Sequence, residues 1–198
     1  MNRLTGALRI EGYAVVSEDD RIADVAGDMP PSLKSDAEWD FFQAGLDAAD
    51  VTVLGRRSHD VTPNPKQRRR LVMSKAPRPP CSGTMPQTVA WNPDRMALVD
   101  ALASFGRPVA HLAVAGGQGI FDHFLQGPHR YSAFHLSRMR GVSLPGGIAV
   151  FGDIGRMGLS AETVLQRAGY VPGPLRQLDR LAHVVTWTPP LPVTGQAS

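Results

Sequence analysis

Cysteine is almost missing from this sequence: Cys81 stands alone among 198 residues. A lone thiol closes no disulfide within the chain, and a zinc site of four thiolates is impossible. Long apolar runs are missing too, since nothing approaches the ~20 residues that a membrane helix needs. The opening Met1-Asn2-Arg3-Leu4-Thr5-Gly6 lacks the apolar centre of a secretory signal. Together these absences predict a cytoplasmic protein with no membrane contact. His111, His123, His129 and His135 lack the H-E-x-x-H spacing, so no metal site is expected. Aromatic residues are sparse at 7%, but 42% of the chain is hydrophobic, enough to fill a core. The 20 glycines and 17 prolines exceed the usual ~12% and stay below the ~25–30% at which disorder is the default. That excess belongs to loops between short elements.

The net charge of +3 is small, and the cations concentrate in Lys66-Gln67-Arg68-Arg69-Arg70. A nucleic-acid module would continue such a stripe along one face, and no other nucleic-acid motif is present. Three arginines before a strand suit a small anionic ligand equally well, and a solvated turn is the plain structural alternative.

Apolar, β-branched runs predict strands at Ile10 to Val16, Val51 to Leu54, Leu71 to Met73, Thr88 to Trp91, Val109 to Ala115, Ala133 to Met139 and His183 to Trp187. Helical spacing falls between them, at Asp36 to Ala48, Asp94 to Phe105, Gly119 to Gln126 and Ser160 to Ala168. Alternation of this kind predicts an α/β sheet, parallel in its middle. In the first helix, Trp39, Phe42, Leu46 and Ala49 form the expected inward stripe, and Asp40 falls off it. Proline-rich breaks are read at Met29 to Pro31, Pro77 to Pro80 and Pro172 to Pro174. Residues 1–190 are expected to form one domain, with 191–198 as a tail.

Three strand ends carry the candidate chemistry. Val114-Ala115-Gly116-Gly117-Gln118-Gly119-Ile120 runs from a buried strand through glycines into a helix, where free amides attract phosphate. This is not the Rossmann fingerprint, because Arg138 and Met139 lie where an acid for the ribose is wanted. Leu54-Gly55-Arg56-Arg57-Ser58 repeats the junction with two cations, and Ser58 is placed as the helix N-cap. Leu71-Val72-Met73-Ser74-Lys75 adds a hydroxyl and an ammonium at a third strand end. Such a set suits a dinucleotide with an extra 2′-phosphate better than NAD. For proton donation, Ser35-Asp36-Ala37-Glu38 matches a capping box, which gives Glu38 a structural task and leaves Asp36 as the candidate acid.

At these residues the chain resembles the dihydrofolate reductases. Met29-Pro30-Pro31-Ser32-Leu33-Lys34-Ser35-Asp36-Ala37-Glu38-Trp39 is similar to that family's Met-Pro-Trp-x-Leu-x-x-Asp-x-x-Trp segment. Gly55-Arg56-Arg57-Ser58, Leu71 to Lys75, Gly116 to Phe121, His135-Leu136-Ser137 and Val150-Phe151-Gly152-Asp153 resemble later family segments in the same order. The resemblance implies a three-layer dihydrofolate reductase-like fold, with a mixed, mainly parallel eight-stranded sheet and flanking helices. It also implies NADPH as cofactor and reduction of a C=N bond in a dihydropterin-like substrate.

By the same resemblance, Asp36 is the acid and Ser137 its hydroxyl partner. Arg56, Arg57, Ser58, Ser74 and Lys75 hold the cofactor's phosphates and adenosine. Gly55, Gly116, Gly117, Gln118, Gly119 and Ile120 form its backbone turns, and Ala14 and Ile22 meet the nicotinamide amide. Arg68 and Phe42 face the substrate. The chain departs from the family at Pro31, at Phe121 in place of a tyrosine, at His59, and from about Gly155 onward. The alternatives are a riboflavin-biosynthesis type reductase acting on a ribosylated aminopyrimidine, and a reductase fold that has lost activity. The expected partner is a small-molecule substrate, with a homodimer allowed and no nucleic acid or membrane.

Overall fold

The computed structural model describes residues 8–75 and 87–190. Cys81, the break at Pro77 to Pro80, the opening six residues and the tail 191–198 lie outside the described residues. Among these residues, eight strands form one sheet: β1 Arg9–Val16, β3 Val51–Gly55, β4 Arg70–Met73, β5 Thr88–Trp91, β6 His111–Val114, β7 Ala133–Met139, β9 Val171–Gln177 and β10 Ala182–Thr188. Their order is β5-β4-β3-β6-β1-β7-β10-β9. All pairings from β5 to β7 are parallel, and β10 joins antiparallel to β7 and β9. The mixed, mainly parallel eight-stranded sheet that the resemblance implies is therefore present. β2 Arg21–Ala23 and β8 Ile148–Ala149 make a separate two-stranded ribbon.

Helix α1, Asp36–Ala48, covers one face of β1, where Tyr13, Leu46 and Ala113 form a small cluster. The other face carries the main core, with Ile10, Val16, Val53, Leu112 and Val114 against Phe121, Phe124 and Phe134. The remaining helices are α2 Arg56–Val61, α3 Leu98–Ala103, α4 Gln118–Gln126, α5 Gly152–Met157 and α6 Ala161–Arg167. Near-continuous apolar runs such as Val51 to Leu54 are buried throughout, as strands covered on both faces should be.

Four sequence expectations need correction. α3 begins four residues later than its periodicity suggests, because Asn92 holds the preceding turn by accepting from the Asp94 amide at 3.0 Å. β6 is shorter than Val109 to Ala115, since the Asp50 carboxylate takes the Ala110 and His111 amides at its start. Pro172 and Pro174 do not break the chain; they sit in β9, the outermost strand, where a missing N–H can face solvent. Trp39 is 42% exposed, so the inward stripe of α1 is rotated from the expected one.

The rotation has a visible cause. A Cβ built on Gly45 would lie 2.4 Å from the Tyr13 ring, so α1 seats against β1 at that residue. Gly45→Ala is expected to force the helix off β1 and cost about 1–3 kcal/mol by overpacking, measured by urea unfolding. A neutral or stabilising result would contradict this seating.

Candidate active site

The rotated stripe decides which carboxylate faces the sheet. Glu38, Phe42, Gly45 and Ala49 recur at spacings of four, three and four, the period of one helix face. Asp36 lies two residues, and so ~200°, away. It is exposed at the first position of α1. Glu38 is 3% exposed and hydrogen-bonds to Ser137 of β7, itself 1% exposed. The expectation that Asp36 pairs with Ser137 is therefore corrected: the carboxyl on Ser137 belongs to Glu38. The capping box is only half formed, with the Glu38 amide donating to Ser35 Oγ at 3.3 Å while the Glu38 carboxyl is committed elsewhere.

Burial pushes the Glu38 carboxyl up to about 7; the Ser137 hydroxyl opposes this by favouring the ionised form, and the charge of Asp179 adds to the rise. Another buried carboxylate, Glu11, shares the α1 face and behaves in the opposite way. Burial alone would raise it, yet hydrogen bonds and charge from His135, Tyr13 and Arg9 hold it well below the usual range. Its oxygen also lies 3.2 Å from His111 Nε2. Glu11 is thus fixed as an anion, and Glu38 is the one poised to exchange a proton near neutral pH.

The two glycine junctions meet. Gly55, the last residue of β3, donates its amide to the Gly116 carbonyl at 3.2 Å, bringing the starts of α2 and α4 together. Gly116 has φ +121°, a conformation reserved to glycine, and Gly117 is the N-cap of α4. A Cβ at Gly117 or Gly119 would meet nothing within 4 Å, so open space lies beside these amides. Gln118 anchors the turn through its side-chain amide to the Ala149 carbonyl, and Ile120 packs into the core. Ala14 is buried in β1, and Ile22 of β2 packs against the same core.

Arg56, Arg57 and Ser58 are the first three residues of α2, with Gly55 as N-cap; this corrects the placement of Ser58 as the cap. Arg57 pairs with Asp28 at 3.0 Å, and both are exposed. Ser74 follows β4 with its amide on the Trp91 carbonyl, and Lys75 next to it is 86% exposed, 4.0 Å from Asp94. These cations lie at the carboxyl ends of adjacent parallel strands, where open α/β sheets bind ligands.

Arg68 is placed differently from expectation. It reaches across to α1, bonding Asp47 at 2.5 Å and Gln43 at 2.7 Å. Phe42 is half-buried, edge-on to Tyr13 and tilted against Trp39. Two more cations of the run are consumed locally, Lys66 on Asp47 and Arg70 on the Thr62 and Pro63 carbonyls, while Arg69 comes only within 3.9 Å of Asp50. Among the described residues no helix is long and apolar enough to cross a membrane.

The sheet order and the helices on its two faces define an α/β protein, and the chain has the dihydrofolate reductase-like fold. A putative riboflavin biosynthesis protein from Shewanella sp. PV-4 superposes with a TM-score of 0.64 at 18% identity, covering 91% of this chain and 98% of that one. The diaminohydroxyphosphoribosylaminopyrimidine deaminase/5-amino-6-(5-phosphoribosylamino)uracil reductase of Thermotoga maritima gives 0.64 at 12% identity over 92% of this chain. This chain spans 57% of that longer protein. Dihydrofolate reductase from Enterococcus faecalis, complexed with NADP(H), gives 0.55 at 15% identity over 91% of this chain and 95% of that one. No protein-family profile matches the sequence, and no curated protein does.

Proposed function

We propose that the protein is an NADPH-dependent reductase that reduces a C=N bond of a dihydropterin-like ring, with Glu38 as its acid. The observation that carries this reading is the buried Glu38 carboxyl on Ser137, pushed up to about 7 near the carboxyl ends of β1 and β7. Near pH 7 the carboxyl is protonated about half the time, which suits a group that must hold and then release a proton. The Ser137 hydroxyl donates to the carboxylate once the proton has left and keeps it oriented.

The donor set fits the cofactor. Open space beside Gly117 and Gly119, with the unsatisfied amides of the α4 start, suits the phosphate bridge. Arg57, Ser74 and Lys75 would hold the 2′-phosphate, with Arg56 and Ser58 beside them. When bound, the cofactor supplies a hydride.

A second reading, reduction of a ribosylated aminopyrimidine, is favoured by one observation. Arg68, which the resemblance gives to a substrate carboxylate, is already spent on Asp47 and Gln43. A substrate without a glutamate tail makes no demand on it.

The test is a calorimetric comparison of NADPH with NADH, followed by steady-state assays with dihydrofolate, a tail-less dihydropterin and an aminopyrimidine riboside. NADPH is expected to bind at least tenfold more tightly, and Lys75→Ala to remove most of that preference, since a charge-assisted bond is lost. Equal affinities for the two cofactors in the wild type would sink the cofactor assignment. Turnover of the riboside alone would transfer the reading to the pyrimidine.

A further inference from the structure

At the opposite end of the sheet from the glycine junctions, where β3 and β4 begin and the chain enters β6, lies a pocket of about 400 Å³. Lys66, Arg68, Arg69 and Arg107 line it, against only Asp47 and Asp50. Lys66 and Arg68 share Asp47, each at 2.5 Å. Arg69 comes no nearer than 3.9 Å to Asp50, beyond hydrogen-bond range. Asp50 meanwhile serves the amides of Ala110 and His111 with its other oxygen. The pocket therefore carries two positive charges more than its carboxylates offset.

The surplus is not merely a solvated face. The Arg69 side chain is nine-tenths buried, its guanidinium 5.7 Å from the centre of the Phe105 ring. Its Nη1 has no hydrogen-bond partner among the described residues, and neither has the buried Oγ1 of Thr52, which lines the same pocket. Desolvation, and then the like charge of Arg107, lower the Arg69 pKa. Burying a guanidinium with unspent donors next to a second cation is unfavourable unless an anion compensates it. Gln67 adds to the cost, with φ +50° in the turn that sets Lys66 and Arg68 on either side.

The structure assigns this pocket to the phosphate of a small phosphorylated ligand, or to inorganic phosphate, bound by Arg69, Arg107 and the Thr52 hydroxyl. A phosphomonoester brings the two negative charges that the pocket lacks, and its oxygens accept from a guanidinium fork. The volume admits a phosphate with a small organic body. Lying at the far ends of the strands, the pocket is independent of the cofactor reading.

The experiment titrates inorganic phosphate and glycerol 3-phosphate, by calorimetry, into the full chain carrying Arg57→Ala and Lys75→Ala, which removes the proposed cofactor anchors. Saturable binding near one equivalent is expected, tighter for glycerol 3-phosphate if the organic body is recognised and equal for both if phosphate alone is. Adding Arg107→Ala should weaken it about tenfold or more. Adding Arg69→Met should abolish it and raise the melting temperature measured without phosphate. Arg156→Ala, which removes an exposed cation on α5, should change nothing. Should Arg69→Met fail to fold, the exposed Arg107 still decides. Absence of saturable binding, insensitivity to Arg107→Ala, or equal weakening by Arg156→Ala would overturn the assignment. It also falls if single-stranded RNA binds there and the phosphate compounds do not.

Discussion

Glu38→Gln is expected to keep NADPH binding, lose about 10²–10⁴-fold in turnover, and gain stability at high pH. The last effect follows from linkage. The folded-state pKa of Glu38 is raised from 4.5 to about 7, so between those values the native state holds a proton that the unfolded chain has released. The contribution of Glu38 to wild-type stability is fully present below pH ~4.5 and is lost as pH rises through ~7, by roughly 3 kcal/mol in all. The amide cannot ionise, so the variant escapes that loss. The stability difference should be near zero at pH 4.5 and should grow to its full size by pH 8, read from urea unfolding at each pH. A flat difference would mean that Glu38 is not held protonated. The turnover deficit should shrink at low pH, where solvent can protonate the substrate unaided. Asp36→Asn, at an exposed position, is the control and should leave turnover within twofold. Full activity of Glu38→Gln would remove it as the acid and return Asp36 to consideration.

The central strands were the legible part of the sheet, because runs such as Val51 to Leu54 are buried on both faces and few other patterns compete with them. Thr88–Trp91 and Ala133–Met139 are observed with the expected bounds, as is α1 at Asp36–Ala48. The ribbon of β2 and β8 was not legible, since strands of three and two residues have no periodicity to read. β9 was hidden by composition: Val-Pro-Gly-Pro-Leu-Arg-Gln looks like a loop, and only its outermost place in the sheet makes prolines tolerable there.

At the candidate site, the glycine junctions were legible because only glycine fits the Gly116 conformation. The partner of Ser137 was misread for a reason that lies in the helix. A capping-box pattern and a family resemblance both drew attention away from Glu38. Its spacing to Phe42, Gly45 and Ala49 was present in the sequence, but a glutamate on an apolar stripe invites a reading as an exception. Only the fold brings it to its partner, Ser137, on a strand distant in the sequence.

Arg138→Met is expected to destabilise the protein by about 3–5 kcal/mol, because it strips a buried carboxylate of its partner. Arg138 follows Ser137 on β7 and reaches over the end of β1. It donates to the Ser17 and Glu18 carbonyls at 2.8 and 3.1 Å, to Asp20 at 2.6 Å and to Glu162 of α6 at 2.5 Å. Asp20 is 6% exposed, adopts φ +63°, and gives its second oxygen to the Ala161 amide at 3.0 Å. The arginine thus binds the turn after β1 to both β7 and α6, and the same turn leads into β2 with Ile22. Methionine preserves the length and apolar stem but leaves Asp20 buried with a charge and only one amide. At ~2–4 °C per kcal/mol for a chain of this size, the melting temperature should drop by roughly 6–20 °C. Adding Asp20→Asn should recover part of the loss, since the uncompensated charge is then gone, and the double-mutant cycle isolates the pair. NADPH affinity should fall in Arg138→Met even well below its melting temperature, because the freed turn carries Ile22. A drop of under 2 °C would show that the turn is held by its other bonds, and an unchanged NADPH affinity in a destabilised variant would detach this network from the cofactor site.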